Sequence, residues 1–171
     1  DLFLQKILLD SAKDSLIKIA KATENLDITA VVGLPYVAEQ TLYNCAAVVN
    51  GGHIKGLVPK LNIPNYAEFY EVRHFTAGKN EVTYVNINGE EIPFGANILF
   101  KTDACEDFVL AVEICEDLWT AMPPSVNHAL AGATIIANLS ASNEVIAKDE
   151  YREMLVKSQS AKLYCGYIYS D

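Results

Sequence analysis

The sequence predicts an α/β fold. Three observations carry this: apolar residues at helical spacing over 2–22 and 148–163, largely apolar runs at 28–35, 108–114 and 133–140, and strand-like segments flanking 50-NGG-52 and 88-NG-89. Helices alternating with apolar strands cover a sheet, while tight Asn-Gly turns mark antiparallel hairpins. Hairpins dominate the first half and strand–helix alternation the second. The expected architecture is a mixed sheet with helices on its outer face, one α/β layer and part of a domain.

The elements follow in order. Leu4, Ile7, Leu8, Leu16, Ile19 and Ala20 recur at helical spacing with Lys and Asp between them, so 2–22 reads as an amphipathic helix. The run 28-ITAVVGLP-35 reads as a strand buried on both faces and ended by Gly and Pro. Segments 41-TLYNCAAVV-49 and 53-HIKGLVPK-60 form a hairpin about 50-NGG-52. Residues 61–80 hold Pro64, Gly78 and several aromatics without a clear period, and read as a long ordered loop. Long ordered loops in compact domains are often functional. A second hairpin turns at 88-NG-89, and strands follow at 97–102 and 108–114. After 123-PPS-125, a short helix at 126–131 leads to strand 133-ATIIANLS-140, helix 148–163 and a last strand at 164–169.

With 171 residues, 51% of them apolar and 20% charged, the chain fits one globular domain with a real core. The net charge of −9 repels phosphates, so neither nucleic acid nor an anionic membrane is an expected partner. No apolar run is long enough to span a bilayer, and no secretory signal opens the chain. The four cysteines, Cys45, Cys105, Cys115 and Cys165, are widely spaced near apolar segments. They are expected to be reduced, in a cytoplasmic protein. No CxxC or HxxxH pair suggests a metal, and none is expected. The chain opens directly in a helical pattern and closes on the apolar run 163-LYCGYIYS-170, as a piece of a longer protein would.

Chemistry concentrates in 108-FVLAVEICEDLWTAMPPS-125. An apolar strand runs into Cys115 and then a turn, which exposes a side chain at the strand's C-terminal edge, where α/β folds place reactive groups. The glycines of GxSxG are missing, and the plainer alternative is a buried core thiol. Glu113, Glu116 and Asp117 flank Cys115, and nearby negative charge raises a thiol pKa above its free value of about 8.5. A catalytic reading therefore needs a cation. Lys60 ends an apolar strand in 57-LVPKLNIPNYAEFYEVRHF-75, ahead of a loop of rigid and bulky residues. A buried lysine there would offset the carboxylates and could hold the oxyanion of a tetrahedral intermediate; a solvated strand end is the plainer alternative. His53, His74 and His128 lie where nothing ties them to Cys115, so a Cys–His pairing is the weaker idea.

The segments 57-LVPKLNIPNYAEFYEVRHF-75 and 112-VEICEDLW-119 resemble the carbon–nitrogen hydrolase (nitrilase) superfamily. More narrowly, they resemble its glutamine-hydrolysing domains in glutamine-dependent NAD synthetases. The opening DLFLQ and the run 137-ANLSASNEVIAKDEYREMLVKSQSAKLYCGYIYS-170 are similar to that family too, so the resemblance covers nearly the whole chain. It implies an α-β-β-α sandwich, incomplete here at both ends, and a Glu–Lys–Cys triad. Cys115 matches the nucleophile that attacks the side-chain amide of glutamine. Lys60 matches the triad lysine, which holds the oxyanion with the backbone N–H of Glu116. Tyr66, Ser142 and Lys148 match positions that contact the substrate. Glu71 or Glu68 supplies a second carboxylate near the lysine, while a surface pair with Arg73 is the plainer role for Glu71. The resemblance further implies a homo-oligomer and no cofactor in this domain, ATP and magnesium serving a separate synthetase domain that receives the ammonia. Two other readings stand beside it: a stand-alone amidase acting on another small amide, and a non-catalytic interaction module with a passive Cys115.

One departure from the family pattern matters. The family's general-base glutamate lies upstream of the first helix, whereas this sequence starts within that helix at Asp1. Neither the rest of the domain nor an SGGxDS-type ATP-binding loop follows. The 171 residues are therefore expected to be the central part of a glutaminase domain. On its own this chain should release ammonia from glutamine about 10²–10⁴-fold more slowly than a longer chain carrying that glutamate. Ammonia assays on the two chains check this, and comparable rates would point to an internal base.

Overall fold

A computed structural model describes residues 2–171. Asp1, at the expected helix start, lies outside them. Instead of one mixed sheet there are two, in two compact units: residues Asp1–Ile98 hold a five-stranded sheet and Leu99–Asp171 a four-stranded one.

In the first unit a short 3-10 helix, Leu2–Leu4, precedes α1 (Lys6–Ala22), so the expected single helix is broken at Gln5. The buried stripe of α1, Leu16 and Ala20, packs on the sheet among Cys45, Ala47, Val49 and Leu57. At its end the Thr23 hydroxyl donates to Ala20 O at 2.7 Å and accepts the Gly52 N–H at 3.1 Å, which ties the helix to a hairpin turn. The sheet order is β1-β2-β3-β5-β4. β1 (Thr29–Ala38) is an edge strand and runs through Gly33 and Pro35 rather than stopping there. Proline is tolerated because an edge strand has one side with no ladder bond to make. The expectation of two buried faces fails for β1. It holds for the middle of β2 (Thr41–Asn50), where Cys45–Val49 are all buried between two strands.

β2 and β3 (His53–Pro59) turn at Gly51 and Gly52, with φ of +58° and +86°. Two successive positive φ values make the hairpin turn that matches strand twist, hence the glycines. The β1–β2 turn uses the same geometry at Glu39 and Gln40, φ +47° and +64°, without turn residues to announce it. β4 (Thr83–Ile87) and β5 (Glu90–Phe94) pair about Asn88–Gly89 as expected. Residues 61–80 form an irregular segment with one 3-10 turn, Glu71–Arg73, and its return is stitched to the sheet. Thr76 N–H donates to Leu42 O at 2.9 Å and Gly78 N–H to Lys60 O at 2.8 Å.

The second unit orders its strands β6-β7-β8-β9. β6 (Phe100–Thr102) is antiparallel to β7 (Cys105–Ile114), while β7, β8 (Ile135–Leu139) and β9 (Gly166–Ser170) run parallel. Helix α2 (Pro124–Leu130) lies in the β7-to-β8 crossover and α3 (Lys148–Leu163) in the β8-to-β9 crossover. Parallel neighbours require such crossovers. α3 is less amphipathic than its spacing suggests, because its one fully buried side chain is polar, Gln159. Register sets Ile114 beside Leu139 and Leu139 beside Ser170, so all three parallel strands end level.

A Cβ at Gly78 would lie 2.6 Å from the Pro59 ring and 3.1 Å from its carbonyl oxygen. Gly78→Ala should therefore destabilise the protein by about 1–3 kcal/mol in denaturant unfolding, as overpacking does. Gly166→Ala, whose Cβ would meet nothing closer than 3.8 Å, should cost well under that.

Candidate active site

The sequence-predicted residues fall on two tips, one in each unit. In the first, Lys60 follows the last residue of β3, and its side chain is only 2% exposed. Its N–H donates to Asn44 O at 2.8 Å and its carbonyl accepts from Gly78, so the backbone is held on both sides. The ammonium pairs with Glu71 Oε2. Glu71 Oε1 accepts from Asn44 Nδ2 at 2.6 Å, which orients the carboxylate. Of the two candidate carboxylates, Glu71 meets the lysine, while Glu68 is exposed. Lys60 is thus a buried cation with a partner rather than a solvated strand end. Tyr66 is 53% exposed, with its ring edge-on to Phe69 at 5.6 Å between centroids.

The second tip is the level end of the parallel strands. The C-terminal edge of such strands is where open α/β sheets bind ligands. Cys115 is half-buried and opens a 3-10 helix, Cys115–Trp119, with φ of +47°. A non-glycine residue rarely adopts this left-handed conformation, and it costs about 1–3 kcal/mol that the surroundings must supply. Two hydrogen bonds supply part of it. Ile114 N–H donates to Asp117 Oδ2 at 3.0 Å, and Cys115 N–H donates to Asn138 Oδ1 at 3.1 Å. Asp117 therefore caps the turn.

Glu113 is also engaged elsewhere. It is 1% exposed and accepts from the Tyr167 hydroxyl and from Ser125 N–H at 2.8 Å. Burial raises its pKa above the usual carboxylate range, against the lowering effect of Tyr167 and Ser125. Two of the three carboxylates taken to flank the thiol are thus committed to structural bonds.

Ser142 and Lys148 lie on the β8-to-α3 connection. Ser142 N–H donates to Asp171 Oδ1 at 2.6 Å, just past the end of β9. Lys148 opens α3, bonds Asn143 Oδ1 and holds its ammonium 5.3 Å from the centre of the Trp119 ring. Tyr151 packs on the same Trp119 ring, with centroids 5.5 Å apart. Tyr169 stands on β9, its pKa raised first by burial and then by Asp171 and Cys115 nearby. Arg152 pairs with Glu144 and with Asp171, the latter at 3.1 Å. Glu116 is half-buried in the turn after Cys115.

Sequence reading missed Asn44, Asn138, Tyr167 and Tyr169. Asn44 and Asn138 carried a signal, each a polar residue inside a largely apolar strand segment, 41-TLYNCAAVV-49 and 133-ATIIANLS-140. All four cysteines are free. Among the described residues no cluster of three metal-ligating side chains forms, and no helix is long and apolar enough to cross a membrane.

A glutamine-dependent NAD(+) synthetase from Mycobacterium bovis is 41% identical over 170 residues, which are 99% of this chain and 25% of that protein. One from Aquifex aeolicus is 32% identical over 169 residues, 99% of this chain and 26% of that protein. The crystal structure of a glutamine-dependent NAD(+) synthetase from Cytophaga hutchinsonii matches with a TM-score of 0.87 at 33% identity, covering 99% of this chain and 27% of that one. A carbon–nitrogen hydrolase from Helicobacter pylori shares the fold, with a TM-score of 0.62 at 21% identity over 89% of this chain and 47% of that one. The chain is thus similar over nearly its whole length to a stretch of glutamine-dependent NAD(+) synthetases, and it shares its fold with carbon–nitrogen hydrolase (nitrilase) superfamily proteins. No family model matches it. It spans about a quarter of the length of the curated relatives it matches. The two sheets and three helices are superfamily architecture, and Cys115 and Lys60 sit at strand ends within it.

Removing the carboxylate beside a buried lysine leaves an uncompensated charge. Glu71→Gln should cost about 3 kcal/mol in denaturant unfolding, the low end of the range because Glu71 is 17% exposed. Glu68→Gln, at an exposed position, should change stability by less than about 0.5 kcal/mol.

Proposed function

We propose that this chain is the central part of the glutamine-hydrolysing domain of a glutamine-dependent NAD synthetase, with Cys115 as nucleophile. The observation that carries the reading is the left-handed backbone at Cys115, held at the C-terminal end of a parallel strand. The 41% identity to a named synthetase supports the substrate.

The thiolate of Cys115 attacks the side-chain amide carbon of glutamine, forming a C–S bond and a tetrahedral oxyanion. Lys60 and the backbone N–H of Glu116 stabilise that oxyanion. Collapse breaks the C–N bond, and ammonia leaves with the proton taken from the thiol. Water then attacks the γ-glutamyl thioester, releasing glutamate and restoring the thiol. Glu71 orients the Lys60 ammonium. Tyr66, Ser142 and Lys148 contact the glutamine. The base that takes the thiol proton is the glutamate that the family resemblance puts ahead of Asp1, so the 171 residues alone have little activity. In the whole protein the ammonia passes to a synthetase domain, which uses ATP and magnesium to amidate deamido-NAD. This domain takes no cofactor of its own. The protein works in the cytoplasm as a homo-oligomer, without nucleic-acid or membrane partners.

In the full-length protein, Cys115→Ala should abolish glutamine-driven NAD formation and leave synthesis from added ammonia intact. Measuring both rates decides it. Retained glutamine use would remove Cys115 from the chemistry, and loss of both activities would mark a structural thiol.

A further inference from the structure

We propose that Asn138 is a positioning residue for Cys115, and that Glu113 fixes the direction in which its amide points. This rests on Cys115 being the nucleophile.

A side-chain amide is a donor on one side and an acceptor on the other, and the two ends are nearly the same shape. Shape alone therefore does not tell Asn138 which end to present to Cys115. Asn138 is 1% exposed in the middle of β8, paired in register with Glu113 on one side and Tyr169 on the other. Its Oδ1 accepts the Cys115 N–H at 3.1 Å and the Ser140 hydroxyl at 2.8 Å, and its Nδ2 donates to the Tyr167 hydroxyl oxygen at 3.2 Å.

The orientation is set from the far end of this chain. Tyr167 has one hydroxyl hydrogen, and it goes to Glu113 Oε1. Its oxygen is then left to accept, so the Asn138 end facing it must be the NH₂ group. The oxygen end consequently faces the backbone N–H of a residue in the left-handed conformation. Glu113 is in turn committed, because its other oxygen accepts from Ser125 N–H, and Ser125 is held by Gln159 Nε2 at 2.9 Å. Every bond points one way, from Cys115 N–H to Asn138 Oδ1 at one end and from Asn138 Nδ2 through Tyr167 to Glu113 at the other. A buried chain of this kind is worth most when every member is satisfied.

Glutamine at 113 has the size of glutamate but not its symmetry. Its oxygen must face Ser125 N–H, so its NH₂ faces Tyr167. The tyrosine hydrogen then turns toward Asn138, whose amide must flip and present NH₂ to Cys115 N–H. Two donors face each other, and the left-handed turn under the nucleophile loses its support. Removing the hydroxyl breaks this transmission. Tyr167→Phe leaves Asn138 free to keep its oxygen on Cys115 whatever stands at 113.

The test is glutamine hydrolysis by the full-length protein, with kcat and KM measured separately for Glu113→Gln, Tyr167→Phe, the double variant and Cys115→Ala. Glu113→Gln should lower kcat about tenfold with KM within about twofold. Tyr167→Phe should cost less than about threefold. The double variant should resemble Tyr167→Phe, so that a second substitution rescues the first. A merely structural effect would make the two losses multiply. Multiplied losses, or an unchanged kcat in Glu113→Gln, overturn the proposal. All three are close in size to the native residues, and near-UV circular dichroism confirms folding. Should Cys115→Ala keep its activity, the nucleophile reading itself falls; should it lose activity while Glu113→Gln matches the native kcat, only the positioning role falls.

Discussion

Register in the parallel sheet governs what the second unit can present. Ile114, Leu139 and Ser170 lie side by side, so whatever follows each strand emerges at the same level. Cys115, Ser140 and Asp171 are those next residues, and Ser142 reaches Asp171 within the same group. A slip of β8 by one residue would turn each of its side chains to the opposite face. Asn138 would leave Cys115 N–H, and an apolar neighbour would replace it. Ile136, Ala137 and Asn138 are all buried, so a slip would exchange polar and apolar side chains between the two faces and take Asn138 from its hydrogen-bond partners.

The same logic accounts for two buried polar knots. One joins Lys60, Glu71 and Asn44; the other joins Glu113, Tyr167, Asn138 and Ser125. Burying ionisable groups is expensive unless each finds partners. In both knots an asparagine links the ionisable group to the backbone or to another side chain. Each knot adjoins the end of a strand, β3 in one unit and β7 in the other. Both therefore fix a polar side chain where a regular ladder stops and hydrogen bonds would otherwise be lost.

The sequence made much of this legible, and the reasons for the rest are physical. Helix α1 and the strands β7 and β8 stand out because apolar pattern and length agree. The Asn-Gly and Gly-Gly turns stand out because few residues tolerate their backbone. The Glu39–Gln40 turn was silent, since neither residue signals positive φ. Local pattern suggested one mixed sheet and only the family resemblance implied two, because strand order is set by pairing across distance, which no local pattern carries. Cys115 and Lys60 were visible as reactive residue types at strand ends. Of their partners, Glu71 was one of two carboxylates the family resemblance left open, while Asn44 and Asn138 were not read, because they lie on separate elements and become neighbours only on folding. Glu113 and Asp117 misled most, because charge counted along the chain assumes that all three carboxylates face the thiol, whereas folding turns two of them to other donors.

Pro35 in β1 has a consequence beyond its own pairing with β2. An open sheet edge invites strands from other molecules, and a long flat one is an aggregation hazard. On that edge Pro35 has no N–H to offer an incoming strand, and Gly33, two residues before it, offers no side chain to pack against. Together these make that edge of β1 a poor template for fibrous assembly. The residue that looks like a strand terminator in the sequence acts instead as a guard on colloidal behaviour.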